Sequence, residues 1–127
     1  MKKKLFLISL IGLICATSAY AACEGGTMVG GFCKSNVAMN WWSAAAWCKA
    51  NGLQLATMYE MCPSWDGRSG VSGMCSELNG KDSGYAWSAT ACDSSNAFAV
   101  NLSSGRVESY YRTETYRGDG GPYAFCR

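Results

Sequence analysis

Eight cysteines in a chain of 127 residues restrict the possible folds more than any other feature of this sequence. Seven of them, at positions 23, 33, 48, 62, 75, 92 and 126, are spread at irregular intervals, whereas Cys15 stands in an apolar stretch near the amino terminus. Zinc sites are usually announced by Cys-x-x-Cys pairs and histidines, and this sequence has no such pair and no histidine. A structural disulfide framework is therefore expected, and with it an oxidising compartment. Seven is odd, so at least one thiol is left over.

The first residues agree with that compartment. Lys2, Lys3 and Lys4 precede an apolar run from Leu5 to Ala16, and Ala19-Tyr20-Ala21 supplies the small-x-small pattern of a processing site. This is the form of a secretory signal peptide spanning residues 1–21, of the short Lys-rich bacterial type. Cleavage after Ala21 would leave Ala22 to Arg127, 106 residues, the length of one compact domain. Two alternatives are an uncleaved anchor and a lipoprotein acylated at Cys23; Tyr20 disfavours the second, because it stands where such sites usually carry Leu. No later segment is long and apolar enough for a membrane helix, so the expected location is secreted, periplasmic or cell-surface, without membrane insertion after cleavage. Loss of the leader removes three of eleven basic residues and none of the nine acidic ones, leaving a formal charge of −1. The remaining cations are scattered from Lys34 to Arg127 and form no clustered patch, so nucleic acid is not an expected partner.

Along the chain, Gly25, Gly26, Gly30 and Gly31 bracket Thr27-Met28-Val29, which predicts a tight hairpin closed by Cys23 and Cys33. From Asn40 to Gly52 the spacing of Trp41, Ala44, Ala45 and Cys48 predicts a helix, with Asn40 as its cap and Asn51-Gly52 as its stop. Trp42 and Trp47 fall at its edges and are expected to pack. Leu53-Gln54-Leu55 alternates like a short strand, and Thr57-x-x-Glu60 is a capping box that should start a second helix. From Pro63 to Gly84 the chain is rich in Gly and Ser and reads as a long loop, with Cys62 and Cys75 bounding its first half. The last third predicts a meander of four strands, Tyr85 to Thr90, Ala97 to Leu102, Arg106 to Tyr111 and Tyr123 to Arg127, with a turn at Ser103-Ser104-Gly105.

Trp41-x-x-Ala44-x-x-x-Cys48-x-x-x-Gly52-x-x-Leu55-Ala56 resembles the first helix and following strand of C-type lectin-like domains, and Phe125-Cys126-Arg127 resembles their end. Tyr85-Ala86-Trp87-Ser88, Ala97-Phe98-Ala99-Val100 and Gly105 are similar to the bacterial branch of that fold. The resemblance covers nearly all of residues 22–127. It implies an α+β fold of two helices and a strand meander with a long stapled loop, a bond from Cys48 to Cys126, and the clasp Cys23 to Cys33. Cys62 with Cys75 is the favoured third pair, leaving Cys92 free, although the residues themselves leave the pairing of these three open. The calcium and sugar motifs of the family, Glu-Pro-Asn or Gln-Pro-Asp and Trp-Asn-Asp, do not occur here, and Asp66, Asp82 and Asp93 are isolated along the chain. No metal and no cofactor is expected.

Without histidine, Ser-His-Asp and Cys-His catalysis are excluded by composition, and Cys92 has no cation beside it in sequence to lower its pKa. Carboxylate pairs such as Glu60 with Asp66, or Glu108 with Glu114, are candidates for glycoside chemistry, but helix capping and solvated strand faces are the favoured reading of them. The chain is thus expected not to be an enzyme. The stretch from Glu108 to Asp119 concentrates the side chains that binding surfaces favour, and Tyr110, Tyr111, Arg112, Tyr116, Arg117 and Asp119 are the candidate ligand-binding residues. Arg112, Tyr116 and Arg117 are expected to lie exposed together. The expected function is a secreted or surface-exposed binding and adhesion module that recognises a glycan or a cell-surface protein without calcium. The alternative is a structural or accessory component of an envelope or pilus-like assembly with no small ligand.

Overall fold

A computed structural model describes residues 22–116 and 120–127; the expected leader, residues 1–21, and Arg117, Gly118 and Asp119 lie outside the described residues. Strands β1 (Gly26–Val29) and β2 (Phe32–Ala38) form the amino-terminal hairpin. Its two-residue turn places Gly30 at φ +58° and Gly31 at φ +88°, the left-handed pair that lets a hairpin follow the natural strand twist. The Cys23–Cys33 disulfide closes it, with Cα atoms 5.6 Å apart.

Helix α1 (Trp41–Ala50) starts where the Asn40 side chain accepts the Ser43 N–H at 2.8 Å, and Gly52 follows its end at φ +74°. Ala44 and Cys48, four apart, form its buried line. Trp47 is half-buried, but Trp42 is 52% exposed and touches Trp41 edge-on rather than packing inward. Helix α2 (Met58–Met61) is one turn long and has both bonds of the capping box: Glu60 N–H to Thr57 Oγ1 at 3.1 Å and Thr57 N–H to Glu60 Oε1 at 2.9 Å. The expected strand at Leu53–Leu55 is reduced to a single bridge, Leu55 with Cys126.

Four further strands are β3 (Tyr85–Ala91), β4 (Asn96–Asn101), β5 (Val107–Tyr111) and β6 (Tyr123–Cys126). The six-stranded sheet has the order β1-β2-β6-β3-β4-β5. Only β3, β4 and β5 form the expected meander. Strand β6 leaves it, crosses to the other side of β3, and pairs parallel with β3 and antiparallel with β2. Both edges of β6 are thereby used, which joins the two ends of the chain in one sheet.

The alternation of side chains along the strands makes two cores. Phe125, Val100, Ala86 and Val107 point to the face covered by Met58, Met61, Trp65 and Leu78. Ala124, Cys126, Trp87, Ala97 and Ala99 point to the face covered by Ala44 and Cys48 of α1. The Cys48–Cys126 disulfide crosses this second core with Cα atoms 5.5 Å apart. Trp87 is fully buried and its Nε1 donates to the Met39 carbonyl at 2.8 Å, which satisfies its one polar atom.

The long loop is better anchored than its composition suggests. The Cys62–Cys75 disulfide holds its first half, Trp65 and Leu78 are buried against the sheet, and Gly70–Ser72 and Ser76–Leu78 form 3-10 turns. The Ser64 N–H and hydroxyl both donate to Glu77, and Lys34 on β2 pairs with Asp82 at 3.0 Å while lying 4.2 Å from the centre of the Tyr123 ring. Cys92 is free and exposed in the turn after β3. Among the described residues no helix is long and apolar enough to cross a membrane.

Candidate functional site

A concavity with a mixed polar and apolar lining lies where the stapled loop meets the edge of the sheet. Tyr85, Asn101 and Glu108 fall on one sheet face with Trp87 and Ala99, by the two-residue alternation of β3, β4 and β5. Beside them the loop residues Val71–Met74 stand as a wall, and between the two is a cleft of about 350 Å³. The wall is held by an antiparallel rung on the start of β5: Cys75 N–H donates to Gly105 C=O at 2.6 Å and Val107 N–H to Gly73 C=O at 3.2 Å. Gly105 allows this approach, because a Cβ there would lie 2.6 Å from the Cys75 oxygen and its φ is +77°.

The lining is mixed. Arg106 Nε donates to Glu108 Oε1 at 2.8 Å and to Gly70 C=O at 3.1 Å, so the charged pair neutralises itself and ties loop to strand. Asn101 Oδ1 accepts from the Ser103 N–H and hydroxyl and from the Ser104 N–H, leaving its amide nitrogen as the group available to a ligand. Val71 at 95% exposure and Met74 at 50% form an apolar lip. The cleft can thus hold a compact uncharged group by donors, acceptors and apolar contact together. A wider groove of about 580 Å³ runs between α1 and Leu53–Leu55, with Lys49 and Gln54 as its long polar side chains.

The expected ligand surface is divided by the structure. Tyr110 is half-buried, meeting Tyr85 edge-on at 5.2 Å and packing with the core beneath α1. Tyr111 points to the opposite face and is 64% exposed. Arg112, expected to be exposed, is instead half-buried with its guanidinium 4.6 Å from the Trp41 ring centre. Its backbone is also engaged: its C=O accepts the Trp41 N–H and its N–H donates to Ser95 C=O, both at 2.9 Å. The cause is topological, because the end of β5 abuts the start of α1, which no local pattern announces. Tyr116 is 69% exposed; Arg117 and Asp119 lie outside the described residues.

Of the cleft residues, Tyr85 and Glu108 entered the sequence reading in other roles, as part of the family resemblance and as half of a carboxylate pair, and Asn101 and Arg106 were not singled out as binding residues. The one available hint was the turn at Ser103-Ser104-Gly105, whose side chains and backbone order Asn101 and Arg106. Among the described residues no group of three or more His, Cys, Asp or Glu side chains converges as a metal site would require. Several carboxylates are held below their ordinary range: Glu60 by the Thr57 N–H, Glu77 by the Ser64 N–H, Asp82 by the Lys34 ammonium and Asp93 by the Asn96 amide. No family model matches the chain, and no curated protein matches it.

Proposed function

We propose that this chain is an exported binding module of C-type lectin-like organisation, which recognises a glycan or a surface protein without calcium and catalyses no reaction. The observation that carries this reading is the amphiphilic cleft built by Val71–Met74, Tyr85, Asn101, Arg106 and Glu108 on a scaffold of rigid strands. The disulfide from α1 to the last strand supports the family assignment, since that is the bond the resemblance implies. The absence of calcium motifs in the sequence agrees with the carboxylate partners: Asp66 with Arg68, Asp82 with Lys34, and Asp93 with its own turn.

A glycan array and a pull-down from intact cells with the 22–127 domain, each run with calcium and with chelator, test the proposal. Binding that is equal in both conditions is expected. The melting temperature should also be unmoved by millimolar calcium, because a cation bound only by the folded state would raise it. An upward shift reversed by chelator rejects the calcium-free reading.

A second reading, an accessory part of a surface assembly, is favoured by one feature. Trp42 on α1 and Tyr59 on α2, 52% and 57% exposed, sit on separate helices rather than around one cavity. A silent array together with co-purification of a stoichiometric complex selects that reading.

A further inference from the structure

The open edge of β5 lies beside the cleft. In an antiparallel ladder, residue pairs that exchange hydrogen bonds alternate with pairs whose backbone groups point away from each other. Two bonds set the phase between β4 and β5: Asn101 N–H to Arg106 C=O at 2.8 Å and Arg112 N–H to Ser95 C=O at 2.9 Å. Residues 106, 108, 110 and 112 therefore turn toward β4, and Val107, Ser109 and Tyr111 turn their backbone groups outward. The Val107 N–H is taken by Gly73 C=O, and the Tyr111 C=O accepts the Glu114 N–H at 2.9 Å. Between these two, the N–H and C=O of exposed Ser109 and the N–H of Tyr111 have no partner among the described residues.

Among the described residues, the lane beside β5 is thus filled at one end only. Gly73–Cys75 occupies it as a short antiparallel segment, and the chain leaves it at the Gly70–Ser72 turn. We propose that the rest of this lane takes an extended peptide segment of a surface protein, paired with Ser109 through its backbone and setting one uncharged apolar side chain into the cleft. The inference rests on the binding-module reading and chooses the protein partner within it. A peptide supplies alternating N–H and C=O groups at strand spacing, which is what the open edge lacks and what a saccharide does not offer. The self-neutralised Arg106–Glu108 pair leaves no net charge for an ionic side chain, while Val71, Met74 and Tyr111, at 95%, 50% and 64% exposure, give apolar contacts along the lane.

The test uses the oxidised chain to select from a phage-displayed library of random linear octapeptides, after which the selected octapeptide is synthesised. A consensus centred on an uncharged apolar residue is expected. N-methylation of its backbone amides should weaken binding about tenfold at the one position whose N–H meets the Ser109 C=O and about twofold or less at the two neighbouring positions, the cost of a lost ladder hydrogen bond. Ser109→Pro, which removes an outward N–H and no hydrogen bond to β4, should likewise weaken binding about tenfold, and Ser109→Ala should leave it nearly unchanged. The N-methyl scan is made on the unaltered protein, so it decides the matter even if Ser109→Pro disturbs the fold. No consensus, or a scan in which no single amide stands out from its neighbours, overturns the inference. Binding to saccharides on the array with no peptide selected overturns it while sparing the binding-module reading, and silence in both experiments overturns both.

Discussion

Two irregular segments flank the sheet, and they are held by different means. The loop from Pro63 to Gly84 has a disulfide, a buried tryptophan, a serine–glutamate clamp and an ion pair to β2, and it builds one wall of the cleft. The connector after β5 begins with Arg112 stacked on Trp41 and leads to Tyr116, exposed to solvent. By composition the connector, rich in Tyr and Arg, was the better candidate for recognition, and the Gly- and Ser-rich loop the poorer one. A binding wall needs fixed position as well as suitable side chains, and fixed position comes from anchors spaced along the segment.

Removing the anchors of the loop should separate the two segments most sharply. Trp65→Ala, which empties a site only 6% exposed and breaks the Nε1–H bond to Arg68 C=O, is expected to cost about 4 kcal/mol in urea denaturation. A loss under about 1 kcal/mol would mean that the loop is not part of the core. Replacing Cys62 and Cys75 together by Ala reopens a loop with a sequence separation of 13 and should cost about 3 kcal/mol, read in the same way. On the connector, Arg112→Ala loses the stacking on Trp41 and is expected to cost only about 1 kcal/mol, with a change in tryptophan fluorescence.

Acid should also act on the loop first. Asp82 and Glu77 have folded pKa values lowered by the Lys34 side chain and the Ser64 N–H, so the unfolded chain binds their protons more readily. Their contribution is complete above the ordinary carboxylate range and is lost as pH falls through the lowered folded values. The slope should be gentle, since the Asp82 side chain is 37% exposed, Glu77 is only half-buried, and solvent screens both. Stability measured from pH 7 down to 3 should therefore decline less steeply in Asp82→Asn, and an unchanged acid limb would remove that ion pair from the anchors. Tyr116→Ala should produce the smallest effect, within about 0.5 kcal/mol on stability, because its side chain is 69% exposed.

Legibility followed the range of the interaction. The Asn40 cap, the Thr57–Glu60 box and the Gly30-Gly31 turn depend on groups within four residues of one another, and each is present where the local pattern placed it. The meander was readable only for β3, β4 and β5, whose connections are short. The position of β6 depends on partners about ninety residues away, such as Cys33 opposite Cys126, which no local pattern encodes. The candidate site divided along the same line. Adjacency requires that one of Tyr110 and Tyr111 point outward, but that it is Tyr111, and that Arg112 is half-buried, required knowing what lies beside β5.

The sequence by itself therefore determined the α+β class, the caps and turns, and the need for a disulfide framework. Each of these follows from local backbone chemistry or from composition. Tertiary structure decided which side of β3 receives the last strand, that the Gly-rich loop is anchored, and that Tyr85, Asn101, Arg106 and Glu108 share one cleft with Val71–Met74. Those outcomes depend on contacts between residues far apart in the chain, whose free energies arise only once the sheet has brought them together.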